Sequence, residues 1–170
     1  MDIPPGREQI VHTPIGVIHS PHRRAEETPI QPVYARGVQG AVELFAEYEE
    51  GLKDLDGFSH IFLLYAFHAA GAPRLTVCPY LEDTPRGLFA TRAPCRPNAI
   101  GLSLVRLVGR EGRVLRIEDV DVLDGTPLLD IKPYVARFDS RSDVRSGWHE
   151  GVDEATAERR GRRDERAERP

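Results

Sequence analysis

The 170-residue chain has two cysteines, one methionine, one tryptophan and, at Lys53 and Lys132, only two lysines. Cys78 and Cys95 stand far apart with no second cysteine beside either, which excludes a disulfide framework and a zinc-type spacing. No apolar run approaches the roughly 20 residues a membrane helix needs. Residues 1–7 are polar and hold Pro4 and Pro5, unlike the apolar stretch of a secretory signal. The expectation is a soluble protein of the cytoplasm. A formal net charge of -4 excludes a surface coated in positive charge, so any nucleic acid must be met by a local patch. There is no G-x-G-x-x-G and no P-loop pattern, so a Rossmann nucleotide site is unsupported. His19 and His22 have a spacing that suits a metal, but no third ligand clusters with them in sequence, and no metal is expected. No internal repeat is present.

Short apolar runs punctuated by 15 glycines and 14 prolines are what the chain does have, and they favour strands over long helices. Strands are expected at 9–19, 41–47, 74–79, 88–91, 101–108, 113–123 and 128–131. The dense apolar run 58–68 reads as a strand buried on both faces. Residues 48–55 carry Tyr48, Leu52 and Leu55 at helical spacing. Residues 109–112, with glycine at both ends, read as a hairpin, and Asp124-Gly125 as a turn. The fold class is therefore mainly β: a single-domain β-barrel with one or two short helices. Residues 1–150 form that domain. Residues 151–170 are mostly charged and are expected to be a disordered or frayed helical tail.

Three places could carry chemistry. The segment 90–101, Ala-Thr-Arg-Ala-Pro-Cys-Arg-Pro-Asn-Ala-Ile-Gly, cannot form a regular helix, because Pro94 and Pro97 lack donors and restrict the residues before them. It presents Arg92, Arg96 and Asn98 from a stiffened backbone. The arginines suit a phosphate or carboxylate and Asn98 an amide or base edge. Alternatively, these side chains only tie down carbonyls of their own loop. Cys95, near two arginines, is a candidate nucleophile with His68 as its base, although no familiar motif surrounds it. Asp124 sits in a turn that exposes backbone N–H groups, and its carboxylate can accept from hydroxyls such as those of a ribose; the turn alone is equally an ordinary hairpin. His68 ends the most apolar strand, where side chains meet a barrel mouth, and His60 shares its face by strand parity. The long proline-marked loop 20–32 is a further place for binding residues.

Four stretches together resemble the TsaA-like (YaeB, TrmO) family of S-adenosylmethionine-dependent tRNA methyltransferases. They are Pro14-Ile-Gly-Val-Ile-His-Ser-Pro21, Leu55-Asp-Gly-Phe-Ser-His-Ile61, the segment 87–105 that contains the loop just described, and Val122-Leu-Asp-Gly-Thr-Pro-Leu-Leu-Asp-Ile-Lys-Pro-Tyr-Val135. They stand in the family's order and cover roughly residues 10–150. The resemblance implies a β-barrel that binds S-adenosylmethionine without a Rossmann fold, and a homodimer with the cofactor near the subunit interface. It implies cofactor contacts at Pro29, Ile30, Gln31, His68, Ala69, Arg92, Leu102, Asp124, Gly125, Thr126 and Pro127. Ile30 stands where family members often have arginine. The implied reaction is methyl transfer to N6 of threonylcarbamoyladenosine next to the anticodon of tRNA. Arg96, Asn98, Lys132 and Tyr134 are the candidate RNA contacts, and no catalytic base is named. Longer members carry an extra C-terminal domain; here Trp148 is expected to dock on the barrel instead. A barrel that holds the cofactor but acts on another substrate, or binds cofactor or RNA without turnover, is the alternative.

Overall fold

A computed structural model describes residues 9–163. Eight strands run in chain order: β1 Gly16–His19, β2 Gln39–Leu44, β3 His60–Ala66, β4 Thr76–Val77, β5 Arg86–Gly87, β6 Ile100–Glu111, β7 Val114–Glu118 and β8 Thr126–Pro133. Two helices follow, α1 Ala136–Asp139 and α2 Glu154–Arg162. Six strands close into a barrel in the order β1-β2-β7-β6-β3-β8, every pairing antiparallel, while β4 and β5 form a separate small ribbon. Closure leaves no free sheet edge in the barrel.

Alternation along the strands produces the core. In β3 Ile61, Leu63 and Tyr65 point inward, and the residues between them are half-buried. The run 58–68 is thus a half-buried strand, not one covered on both faces, because no second layer packs over its outer side. From the other walls Ile18, Val42, Val105, Leu115, Ile117, Val120 and Leu128 complete the interior. Gly112, at φ +56°, opens the two-residue turn that joins Glu111 of β6 to Val114 of β7. That left-handed first position is the one glycine fills in hairpin turns. β8 carries a bulge opposite Leu64 and Tyr65, so that Leu64 pairs with Asp130 and Tyr65 with Leu128. A bulge there bends the strand at one end of the barrel.

Elsewhere the expected elements change kind. Residues 88–91 are no strand: Leu88–Ala90 form a 3-10 turn, with Leu88 buried beneath it and the Thr91 hydroxyl capping the Leu88 carbonyl at 2.8 Å. The helical spacing at 48–55 resolves into two 3-10 segments, Ala46–Leu52 and Leu55–Gly57, broken at Asp54 with φ +66°. The expected disordered or frayed helical tail contains a helix. Through Arg163 it is ordered: α2 is capped by the Asp153 carboxylate on the Thr156 N–H at 2.9 Å, and Gly161 lies flat against the Tyr34 ring. Composition did not reveal that a glycine inside a charged helix could give it a docking face. The part of that expectation covering 164–170 lies outside the described residues.

Candidate functional site

Strand directions place one set of termini at a single end of the barrel, its mouth. There β1 and β3 end, β6 and β8 begin, and the register pairs Ile18 with Thr126 and Ala66 with Ile100. The chain then leaves β3 through exposed His68 and Ala69. Most of the expected cofactor residues collect here.

Asp124 and Gly125 hold the turn that enters β8. Gly125 adopts φ +76° and donates its N–H to the Ile18 carbonyl at 2.9 Å. The Asp124 carboxylate accepts from the Ser20 N–H at 3.0 Å and pairs with Arg23, while its own N–H reaches the His22 carbonyl at 2.8 Å. Ser20 in turn donates its hydroxyl to the Val122 carbonyl at 2.6 Å. The turn is therefore braced against the loop that follows β1. It borders an open groove of about 480 Å³ lined by His19, Ser20, Arg23, Gly40, Ala41 and Asp124.

Thr126 is buried and donates to the Leu123 carbonyl at 2.6 Å, which spends its hydroxyl proton. The contact at 3.2 Å between its oxygen and His68 Nδ1 then requires the histidine to donate. That places a proton on Nδ1, directed at Thr126. Pro127 continues the turn into β8 opposite Val17.

On the neighbouring side, Arg92 donates to the Gln31 side-chain carbonyl. This joins the proline-marked loop to the segment 90–101, two parts of the chain that sequence reasoning could associate only through the family resemblance. Pro29 is buried, and the Ile30 N–H donates to the Gly161 carbonyl at 3.0 Å, so α2 holds this loop from behind. Leu102 projects outward from β6, 46% exposed, on the same strand face as Ile100, and Phe89 and Leu75 are exposed as well.

The four candidate RNA contacts do not form one group. Arg96 donates to the Thr91 and Ala93 carbonyls at 2.9 and 3.4 Å and lies over the Phe89 ring, so its guanidinium ties down its own loop. Asn98 is exposed on the same loop, and its backbone carbonyl accepts from Ile100. Lys132 pairs with Asp130 at 2.7 Å, and Tyr134 packs on His60 and Phe62. Lys132, near the far end of β8, stands six residues beyond Thr126, roughly 20 Å of strand, and Tyr134 follows just past that end. A single chain therefore does not bring Lys132 and Tyr134 to the mouth. The Cys95–His68 pairing gains no support, since neither side chain contacts the other among the described hydrogen bonds. Trp148 docks as expected, donating its indole N–H to the Ala90 carbonyl at 2.8 Å and stacking on His149. It braces the start of the segment 90–101.

One constellation escaped the sequence reading. Inside the barrel, near the mouth, the Tyr65 hydroxyl lies 3.0 Å from Ser103 Oγ, which donates to Asp121 Oδ1 at 2.6 Å. All three are buried. Burial pushes the Asp121 carboxyl up to about 7, against the opposing effects of the Ser103 hydrogen bond and the Arg92 charge. The Tyr65 phenol is also raised, by burial first and by Asp121 second. An acid inside the apolar run 120–123 was the available signal. Among the described residues no group of three potential ligands could hold a metal ion, and no helix is long and apolar enough to cross a membrane.

A closed barrel with a polar, loop-built mouth and no Rossmann element defines a non-Rossmann ligand-binding barrel. Residues 17–140 match the tRNA-methyltransferase O N-terminal domain, and the chain belongs to that family. It is 57% identical over 141 residues to a Pyrococcus abyssi protein named "Probable S-adenosyl-L-methionine-binding protein", which covers 83% of this chain and 77% of that one. It is 38% identical over 144 residues to the Escherichia coli tRNA (adenine(37)-N6)-methyltransferase, covering 79% of this chain and 61% of that one. Among solved structures, TrmO from Pseudomonas aeruginosa superposes with a TM-score of 0.70 at 40% identity, over 84% of this chain and 62% of the other. The chain thus spans about three fifths of the length of the last two relatives.

Proposed function

We propose that this chain binds S-adenosylmethionine at the barrel mouth and transfers its methyl group to N6 of threonylcarbamoyladenosine, next to the anticodon of tRNA. The observation that carries the reading is the Arg92–Gln31 contact. With the His68–Thr126 contact and the Asp124 turn at the same mouth, it gathers residues from four separate segments. The names carried by the Pyrococcus and Escherichia relatives support the cofactor and the reaction class.

The donor set fits the cofactor. Arg92 supplies a guanidinium for a carboxylate, and Asp124 supplies negative charge near a sulfonium. Backbone groups of Asp124, Gly125, Thr126 and Pro127 suit a ribose, and Leu102 offers an apolar face for an adenine. Pro29, Ile30, Gln31, His68 and Ala69 complete the wall. When bound, S-adenosylmethionine supplies an electrophilic methyl group. The protein's task is to hold the target nitrogen in line with it at near-attack distance, which alone lowers the barrier substantially.

The target base stands in a single-stranded loop, where its edges can be read once it is splayed out. Asn98 and Arg96 belong to the RNA-facing rim in this reading, and Lys132 and Tyr134 contribute only along a longer RNA path or from a second subunit. The exposed Ile100 and Leu102, at the start of β6, support a homodimer that buries this side of the mouth. The protein acts in the cytoplasm, where tRNA is.

Incubation with S-adenosylmethionine and tRNA from a strain lacking this methyltransferase, followed by nucleoside mass spectrometry, tests the substrate. The expected product is N6-methylated threonylcarbamoyladenosine, absent when the tRNA comes from cells that cannot make the threonylcarbamoyl group. Methylation of plain adenosine would replace the finer substrate claim. Cofactor binding without any tRNA product would favour the second reading, a cofactor-binding barrel with another substrate.

A further inference from the structure

The Tyr65–Ser103–Asp121 constellation is a polar chain buried inside the barrel. It places a carboxylate inside a barrel otherwise lined by Ile, Leu and Val. Burying a charge is costly unless it is paired, and replacing such a group by apolar residues is often neutral or stabilising. Asp121 has no salt bridge among the described residues. Its carboxylate is held by the Ser103 hydroxyl and its own backbone N–H. Arg92, which ties the two candidate cofactor loops together, is the cation whose charge reaches it.

The chemistry proposed above needs a proton acceptor, and neither the sequence nor the family resemblance names one. We propose that the Asp121 carboxylate is that acceptor, oriented by Ser103, which Tyr65 orients in turn. This rests on the methyl-transfer reading. In the step, the N6 lone pair forms the new N–C bond while the C–S bond breaks and its electrons pass to sulfur, leaving a neutral thioether. The proton on N6 then passes to Asp121 and later to solvent.

With Asp121 ionised, the hydrogen-bond chain runs in one direction. Ser103 donates to Asp121, so its oxygen accepts from the Tyr65 hydroxyl. Asp121 is the end that only accepts, as a base must be. Its neighbours on the packed walls are Ser103 of β6, Tyr65 of β3 and Arg92 of the mouth loop, and no other ionisable group acts on it. A carboxylate raised by burial toward neutral pH is matched to general-base work there. Ser103 and Tyr65 are positioning residues, since they act through Asp121.

The test combines a titration without cofactor and a rate profile with it. In the cofactor-free protein, the side-chain carboxyl carbon of Asp121, followed by NMR, should titrate near neutral pH and move to higher pH in Ser103→Ala. In single-turnover methylation of tRNA, the wild-type rate should rise with pH through the same range. Asp121→Asn should lower the rate by roughly 10²–10⁴-fold and abolish that limb, with S-adenosylmethionine affinity kept within a few-fold. Ser103→Ala should shift the limb upward with the NMR titration. A wild-type limb and rate preserved in Asp121→Asn would overturn the assignment, as would an unmoved limb in Ser103→Ala should Asp121→Asn fail to fold. No product from the wild type with cofactor bound would overturn the methyl-transfer reading itself, and the base with it.

Discussion

At the residue scale, two positions at the mouth make the sharpest demands. Gly101 ends the segment 90–101, and a Cβ there would overlap the Tyr65 ring. Its backbone φ is ordinary, so the demand is for space alone. Gly101→Ala should push the phenol off Ser103 and destabilise the protein by about 1–3 kcal/mol, read as a lowered urea midpoint. Tyr65→Phe in that background should cost little more, because the hydrogen bond is already lost. Asp121 makes an electrical demand. Its folded carboxyl, near 7, sits above the ordinary 3.8, so between those values the folded state holds a proton that the unfolded chain has lost. Asp121's contribution to stability should therefore be full below pH 4, fall as pH rises toward 7, and level off above it. Asp121→Asn should flatten that decline, a difference on the order of a few kcal/mol by pH 8, measurable as urea midpoints across the range. Of these residues, Arg92 and Asp124 could be picked out because charge in a stiff loop or a turn is visible in the sequence. Arg96 looked the same, yet its guanidinium serves Thr91 and Ala93. Which carbonyl an arginine finds depends on how the loop folds back, and spacing does not encode that.

At the element scale, the barrel strands were readable where alternation is clean, as at 101–108, whereas of the strand expected at 113–123 only Val114–Glu118 is one. They were misread where a short apolar run has no partner strand. Leu88 and Phe89 have the composition of a strand, but Leu88 alone is buried while Phe89 is 76% exposed, and the backbone closes into a 3-10 turn. Helix α2 falls where a frayed helical tail was one expectation. Its charge suggested solvent on every side, whereas Gly161 opens one face to Tyr34, and Ile30 donates to the Gly161 carbonyl at 3.0 Å. Burial and the facing Glu154 and Glu158 raise the Tyr34 phenol, which places α2's acids around that ring. The helix thereby backs the loop that carries Gln31. Gly161→Ala should force the Tyr34 ring away and loosen this loop. S-adenosylmethionine affinity, followed by calorimetry, should fall several-fold although α2 lies outside the mouth. Asp153→Ala should act in the same direction through the lost cap, which is worth about 1 kcal/mol.

At the scale of the whole molecule, a six-stranded barrel supplies a rigid ring, and the loops between strands supply the site. The homodimer proposed above belongs to this scale, and it would cover exposed apolar side chains such as Phe89. Sedimentation should give twice the monomer mass of 19.0 kDa, and Phe89→Glu should return it to one. The central claim is that the mouth, with Arg92 bound to Gln31 and close to Asp121, is an S-adenosylmethionine site. Calorimetric titration of S-adenosylmethionine into the wild type and into Arg92→Ala tests it most directly. The wild type should bind one molecule per chain. Losing a charged hydrogen-bond donor costs about 1.5–3 kcal/mol, so Arg92→Ala should bind on the order of 10–100-fold more weakly. Equal affinities in the two proteins, or no binding by the wild type, would contradict it.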